Sequence, residues 1–129
     1  MVSPDAGLSP HAVEGPPTGS TASSLGDDPV LKEIVRRLVK TLDPKFVYLF
    51  GSRARGDAAA DSDYDLLLII DTPRDRIYQL RTDGHGAMFG VGASVDILVM
   101  TPEYFRGRLN VVASLPATVL REGKLLYAA

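Results

Sequence analysis

The 129-residue sequence contains no cysteine and no tryptophan. Without cysteine, neither a disulfide-stapled scaffold nor a zinc site built from thiolates is possible. Long apolar stretches are also missing. No apolar run exceeds five residues, whereas a membrane-spanning helix needs about 18 or more. The first residues lack the positive charge and the apolar block of a secretory signal. We therefore expect a cytoplasmic protein that does not contact a membrane.

Lysine and arginine are absent from residues 1–29, which contain five Pro, four Gly, five Ser and four acidic residues. This composition offers little apolar surface to offset the entropy cost of ordering the chain, so residues 1–28 are predicted to be a disordered tail. The rest carries all 14 Lys and Arg residues against 12 acidic ones, a net charge of about +2. This balance excludes a strongly basic nucleic-acid binder, and we expect no direct binding to nucleic acid. Residues 29–129 are predicted to form one domain.

Apolar periodicity in residues 29–129 predicts a small α/β (α+β) domain. A helix is expected to begin at Asp28-Pro29, an acidic N-cap followed by proline at the first helical position, and to end at Asp43-Pro44. Buried strands are predicted at residues 45–50, 66–70, 94–100 and 124–127. Further helices are predicted at about residues 74–82, 103–113 and 116–122, and a glycine-rich loop at residues 84–92. We expect a small mixed sheet of about four strands with helices packed on it.

Three aspartates lie on the predicted strands, where acidic residues are uncommon. Asp63 and Asp65 are two residues apart at the start of the second strand, so both carboxylates point to one side. Asp96 lies in the third strand and comes beside this pair if the two strands are neighbours. Three like charges repel unless a cation sits among them, and oxygen ligands select Mg²⁺ or Mn²⁺. We predict that these aspartates bind one or two such ions, although turn or edge-strand roles remain the ordinary alternatives.

The turn after the first predicted strand, Gly51-Ser52, leads to Arg53 and Arg55. Glycine allows close approach of the backbone to a ligand, and the Ser52 hydroxyl with the following amides would accept a phosphate. Asp57 stands where a Walker A loop has its lysine, which excludes a P-loop ATPase. The later glycines lack the spacing of a dinucleotide fold. Together with the aspartates, the turn predicts phosphoryl or nucleotidyl transfer.

The turn Gly51-Ser52 and, ten residues later, the D-Y-D motif at residues 63–65 resemble the G-S-x10-D-x-D signature of the polymerase-beta-like nucleotidyltransferases. The residues around both motifs are similar to those of the minimal nucleotidyltransferase branch. Asp96 falls where the family has its third carboxylate. The resemblance spans roughly residues 45–127, with the detailed motif confined to residues 51–66 and Asp96. It implies the polymerase-beta-like nucleotidyltransferase fold.

What the resemblance implies is an enzyme that takes ATP or another nucleoside triphosphate with Mg²⁺, passes the nucleoside monophosphate to an acceptor and releases pyrophosphate. Asp63 and Asp65 would hold two Mg²⁺ ions, with Mn²⁺ as a substitute. Asp96 would share the second ion and help to deprotonate the acceptor hydroxyl. The nucleotide-binding residues implied are Gly51, Ser52, Arg53 and Arg55.

Many members of the minimal branch, the MntA-like proteins, are antitoxins encoded beside a HEPN toxin, an RNase. They silence the toxin by transferring AMP to one of its tyrosines. The resemblance thus implies an antitoxin whose acceptor is a HEPN toxin. Two alternatives stay open: a non-catalytic antitoxin or nucleotide-binding module that inhibits its partner by contact, and a nucleotidyltransferase for a small molecule such as an aminoglycoside. The last is disfavoured because larger family members carry a second, helical domain, for which a single domain of this size has no room.

Overall fold

A computed structural model of the protein describes residues 28–129. The predicted tail lies outside this part of the chain, apart from Asp28. No helix within the described residues is long and apolar enough to cross a membrane. In chain order, the elements are α1 (Pro29–Leu42), β1 (Phe46–Phe50), α2 (Ser52–Arg55), β2 (Tyr64–Ile69), a 3-10 turn (Arg74–Arg76), α3 (Ile77–Ala87), β3 (Val95–Met100), α4 (Pro102–Gly107), α5 (Leu115–Glu122) and β4 (Lys124–Ala128).

The four strands form one mixed sheet in the order β3-β2-β1-β4. β1 is antiparallel to both β2 and β4, whereas β2 and β3 are parallel. A parallel pair needs a crossover connection, and α3 supplies it. The structure thus confirms the predicted small mixed sheet with helices packed on it.

One face of the sheet is covered by α1 and α3. The side chain of Asp28 accepts a hydrogen bond from the Leu31 amide at 3.0 Å, which confirms the predicted N-cap. The helix ends at Asp43, whose φ of 51° is left-handed. The buried side of α1 packs on the sheet through five apolar residues: Leu31, Ile34, Val35, Leu38 and Leu42.

The other face of the sheet is partly covered by α4 and α5. Its core contains Tyr48 and Leu67 from the sheet and Phe105 and Val119 from the two helices. The rings of Tyr48 and Phe105 are stacked with their centroids 5.7 Å apart. By strand alternation Asp65 shares this face with Leu67, so the predicted site lies at the end of the face where β2 begins.

The crossover differs from the prediction at its glycines. Helix α3 continues through Gly84 and Gly86, where a loop was expected. A Cβ at Gly84 would lie 3.2 Å from Leu42 Cδ1 and 3.3 Å from Ile97 Cδ1, so glycine lets α3 pack closely against α1 and β3. Only the last two glycines of the predicted loop have positive φ angles, of 79° and 84°, and lie in the turn before β3.

Helix α4 is also shorter than predicted, since it ends at Gly107 rather than near residue 113. The following residues form consecutive tight turns, in which Arg108 N donates to Phe105 O and Val111 N donates to Arg108 O. Gly107 is the last residue of α4, and glycine weakens a helix by about 1 kcal/mol relative to alanine. Ser114 then caps α5 by accepting from the Ala117 amide at 3.2 Å.

Candidate active site

The parallel pairing of β2 and β3 brings the predicted carboxylates together. Asp65 and Asp96 are direct partners in the register of the two strands. Asp63 precedes β2 by one residue, and alternation places it on the side of Asp65. Asp63 and Asp96 are exposed, whereas Asp65 is partly buried. All three predicted metal ligands therefore lie at one corner of the sheet, open to solvent.

The surroundings of Asp65 disfavour its ionised form. Burial raises the pKa of this carboxyl, and the negative charges of Asp96 and Asp63 raise it further. The charge of Arg55 acts in the opposite direction. Negative charge is thus concentrated at this corner of the sheet, and ionisation of Asp65 costs more free energy there than in water.

The donor set at this corner fits a hard divalent cation. Carboxylate oxygens are the ligands that Mg²⁺ and Mn²⁺ prefer, and a cation would offset the repulsion among Asp63, Asp65 and Asp96. Within residues 28–129, no three acidic or histidine side chains already stand at metal-ligand spacing. The metal role of the three aspartates stays a prediction that the chemistry of the donors favours.

Gly51 connects the Gly-Ser turn with these carboxylates. Its φ of 76° and ψ of −158° lie in a region that is essentially restricted to glycine. A Cβ at this position would collide with Asp65 Oδ2 and would lie 3.2 Å from Asp65 Cγ. Asp65 pairs with Phe50, the residue before Gly51, in the register of β1 and β2. The backbone of the turn therefore rests against the Asp65 carboxylate.

Ser52 is the first residue of α2 and follows Gly51, which stands at the N-cap position. The amides of Ala54 and Arg55 both donate to Gly51 O at 3.1 Å, whereas the first amides of any helix lack intrahelical acceptors. The Arg55 side chain is exposed, with Nε 3.4 Å from Asp57 Oδ2. The charge of Arg55 acts on Asp65, and the phosphate-binding role of Gly51, Ser52 and Arg55 stays a prediction.

The sequence model of the family described as "Polymerase beta, Nucleotidyltransferase" matches residues 32–129. This chain belongs to that family. The match covers all four strands together with the Gly-Ser turn and the three aspartates. The protein is a nucleotidyltransferase.

Two proteins that resemble this chain, a curated relative and a solved structure, support the same assignment. The "putative protein adenylyltransferase" of Methanocaldococcus jannaschii is 30% identical over 105 residues, which cover 80% of this chain and 100% of the relative. The solved structure of a "putative nucleotidyltransferase" from Sulfolobus solfataricus is 25% identical with a TM-score of 0.54, covering 77% of this chain and 78% of that one. A structure described as "the toxin-antitoxin with AMP-PNP" is 21% identical with a TM-score of 0.49, covering 76% of this chain and 73% of that one.

Arg53 of this nucleotidyltransferase lies away from the carboxylates. Its Nε donates to Ser62 O and its Nη2 to Ala60 O, each at 3.0 Å. Its Cζ lies 4.0 Å from the centroid of the Tyr64 ring. Because Tyr64 and Asp65 point to opposite faces of β2, this guanidinium lies behind the site. These contacts engage Nε and Nη2 of Arg53, and the phosphate contact predicted for this residue stays a prediction.

Two residues behind the site, Tyr64 and Asp28, are joined by a hydrogen bond that was not expected from the sequence. The Tyr64 hydroxyl donates to Asp28 Oδ2 at 2.7 Å. Burial and this hydrogen bond raise the pKa of Tyr64 to about 12. Burial also acts to raise the pKa of Asp28, but hydrogen bonds from Tyr64 and from the Leu31 amide outweigh it and hold that pKa below its usual value. The alternation within D-Y-D already indicates that the tyrosine points away from both aspartates.

Proposed function

We propose that this nucleotidyltransferase transfers AMP from ATP, with Mg²⁺, to a hydroxyl of a partner protein, and that the acceptor is a tyrosine of a HEPN toxin which the enzyme silences as an antitoxin. The observation that carries the catalytic part is the pairing of Asp65 with Asp96 beside the Gly51 backbone. This arrangement joins a carboxylate cluster to a phosphate-binding turn. Nucleotidyl transfer needs both elements in one place.

Asp63, Asp65 and Asp96 would hold two Mg²⁺ ions, with Mn²⁺ as a substitute. When bound, these ions neutralise charge on the phosphates and polarise the phosphorus that is attacked. The raised pKa of Asp65 supports this role, because burial and the negative charges of Asp96 and Asp63 disfavour its ionised form, which a bound cation would stabilise.

In the reaction, the acceptor oxygen forms a bond to the α-phosphorus while the bond from that phosphorus to the bridging oxygen of the β-phosphate breaks. Pyrophosphate leaves, and Asp96 takes the proton of the acceptor hydroxyl. Asp96 is suited to this step because it is exposed and lies beside Asp65. Gly51 and Ser52 hold the triphosphate, and Arg55 adds positive charge to it.

A protein acceptor and ATP are supported by the relative from Methanocaldococcus jannaschii, which is named for protein adenylyl transfer and is matched over its full length. The antitoxin role and the tyrosine acceptor rest on the similarity of the residues around Gly51-Ser52 and the D-Y-D motif to the minimal branch. Neighbouring reading frames would supply the partner to test.

The test incubates the enzyme with α-³²P-labelled ATP, Mg²⁺ and the product of the adjacent gene. Label is expected on a tyrosine of the partner and is expected to vanish with Asp63→Asn. Asp61→Asn is the matched control, because Asp61 is an exposed acidic residue two positions earlier. Transfer that persists in Asp63→Asn would refute the mechanism. A partner that is inhibited without being labelled would instead support inhibition by contact.

A further inference from the structure

Asp63 stands outside the hydrogen-bonded ladder that fixes the other two carboxylates. The register of β2 with β3 begins at Tyr64, so Asp65 and Asp96 are held by strand pairing and Asp63 is not. Asp63 is also exposed and is repelled by its neighbours. Strand pairing fixes its backbone only on the side of Tyr64, whose amide donates to Ser94 O at 2.9 Å.

Arg53 supplies contacts on both sides of Asp63. Its guanidinium binds the carbonyls of Ala60 and Ser62, before Asp63, and covers the ring of Tyr64, after it. Three alternate residues are thus attached to one planar group. The geometry needs the rigid fork of arginine, because a lysine ammonium is a point charge that cannot bind two carbonyls and stack on a ring in the same way.

Tyr64 in turn attaches this group to the start of α1. Its hydroxyl donates to Asp28 Oδ2, while Oδ1 of the same carboxylate caps the helix by accepting from Leu31 N. α1 is packed on the sheet through its buried side. The chain around Asp63 is therefore tied to a fixed part of the core.

We propose that Arg53, Tyr64 and Asp28 are positioning residues that act behind the sheet to hold Asp63 beside Asp65. None of them touches the nucleotide, and each acts on transfer through the geometry of the carboxylates. This inference rests on the metal role of the aspartates in the proposed function. It assigns Arg53 to the ordering of the metal ligands instead of to a phosphate.

The experiment measures Mn²⁺ binding to the nucleotide-free protein by electron paramagnetic resonance. We expect Arg53→Lys and Tyr64→Phe each to weaken Mn²⁺ binding by about 10-fold or more, as changes behind metal ligands commonly do. Asp28→Ser, which keeps a capping oxygen but has no second polar atom for the tyrosine, should behave like Tyr64→Phe. Asp28→Asn, whose Oδ1 can cap the helix while its Nδ2 donates to the tyrosine oxygen, should bind Mn²⁺ nearly as the wild type does. Arg36→Lys and Tyr78→Phe are matched controls on exposed residues and should bind Mn²⁺ as the wild type does.

A second measurement separates positioning from phosphate binding. The variants at Arg53 and Tyr64 should raise the Mg²⁺ concentration needed for half-maximal transfer while leaving the KM for ATP unchanged at saturating Mg²⁺. A raised KM for ATP in Arg53→Lys with no effect of Tyr64→Phe would overturn the inference and make Arg53 a phosphate ligand. Unchanged Mn²⁺ binding in both variants would overturn it as well.

The wild-type protein tests the proposed metal site independently of the variants. If it binds Mn²⁺ and Asp65→Asn does not, the metal site stands, and the variants alone decide the role of Arg53 and Tyr64. If the wild type binds no Mn²⁺, the metal site fails and this inference fails with it. Thermal melts of each variant show whether it is folded before its binding is compared.

Discussion

Replacing Gly51 with alanine tests the connection between the Gly-Ser turn and the carboxylates. The new Cβ meets two separate obstacles. The backbone angles of Gly51 are unfavourable for any other residue, at a cost of about 1–3 kcal/mol. The same Cβ collides with the Asp65 carboxylate, so either that side chain rotates or β1 moves away from β2.

The backbone cost alone does not unfold a domain of ordinary stability, since the free energy of unfolding of such domains is about 5–15 kcal/mol. A loss of about 2 kcal/mol would lower the Tm by roughly 8–16 °C in a domain of this size. Displacing Asp65 by about 1 Å is expected to reduce transfer by ~100-fold. Urea unfolding and labelled-ATP transfer measure the two effects separately.

Gly56→Ala provides a matched control for this prediction. Gly56 also has a positive φ, 84°, but none of the described atoms lies within 4 Å of a Cβ built there. Gly51→Ala should therefore be more destabilising and far less active than Gly56→Ala. In an Asp65→Ala background, Gly51→Ala should lose the part of its destabilisation that comes from the collision. Equal effects of the two glycine substitutions on stability and transfer would refute the reasoning.

Three further predictions concern stability. Asp65→Asn should stabilise the metal-free protein increasingly as the pH rises. The reason is that the raised pKa of Asp65 makes the folded wild type lose stability above the usual pKa of the carboxyl. Urea unfolding at several pH values tests this, and a gain in stability that is largest at acidic pH would contradict it. Gly86→Ala should stabilise α3 by about 0.5–1 kcal/mol, whereas Gly84→Ala should gain less because its Cβ crowds Leu42 and Ile97; thermal melts compare the two, and a larger gain at Gly84 would count against the packing described. Arg37→Met should destabilise by about 1–3 kcal/mol, because Arg37 Nη1 donates to the carbonyls of Ala87 and Phe89 at 3.1 and 2.9 Å. Arg36→Met should lower the free energy of unfolding by less, since the only polar contacts of Arg36 among the described residues are with Glu33. Equal losses of stability for the two variants in urea unfolding would show that the contacts of Arg37 with Ala87 and Phe89 contribute nothing.

Much of the fold was predictable because its signals are local. The N-cap at Asp28, the apolar periodicity of α1 and the short apolar strands each depend on neighbouring residues alone. The helical course of α3 through Gly84 was not predictable, since its reason is the approach of Leu42 and Ile97 from distant elements. Glycine read without its neighbours indicates a turn.

The candidate site divides in the same way. Asp63 and Asp65 were recognisable as candidate metal ligands from their spacing. Asp96 was recognisable because a carboxylate is uncommon within an apolar strand. The three carboxylates are close together only because β2 pairs with β3. The sequence did not establish that these two strands are neighbours. The contact between Tyr64 and Asp28 joins residues 36 positions apart, and no local pattern predicts such a pair.

The parallel pairing of β2 and β3 also determines where the chain tolerates changes in length. Residues added to the loops before and after α3 lengthen the connection between the two strands, and loops accept such insertions at a small entropic cost. One residue added inside either strand, between the carboxylate and the apolar residues that follow it, would turn the carboxylate to the opposite face of the sheet. Between these two strands, changes of length in the evolution or redesign of this enzyme are therefore expected in the loops that flank α3, with the two short strands kept at constant length.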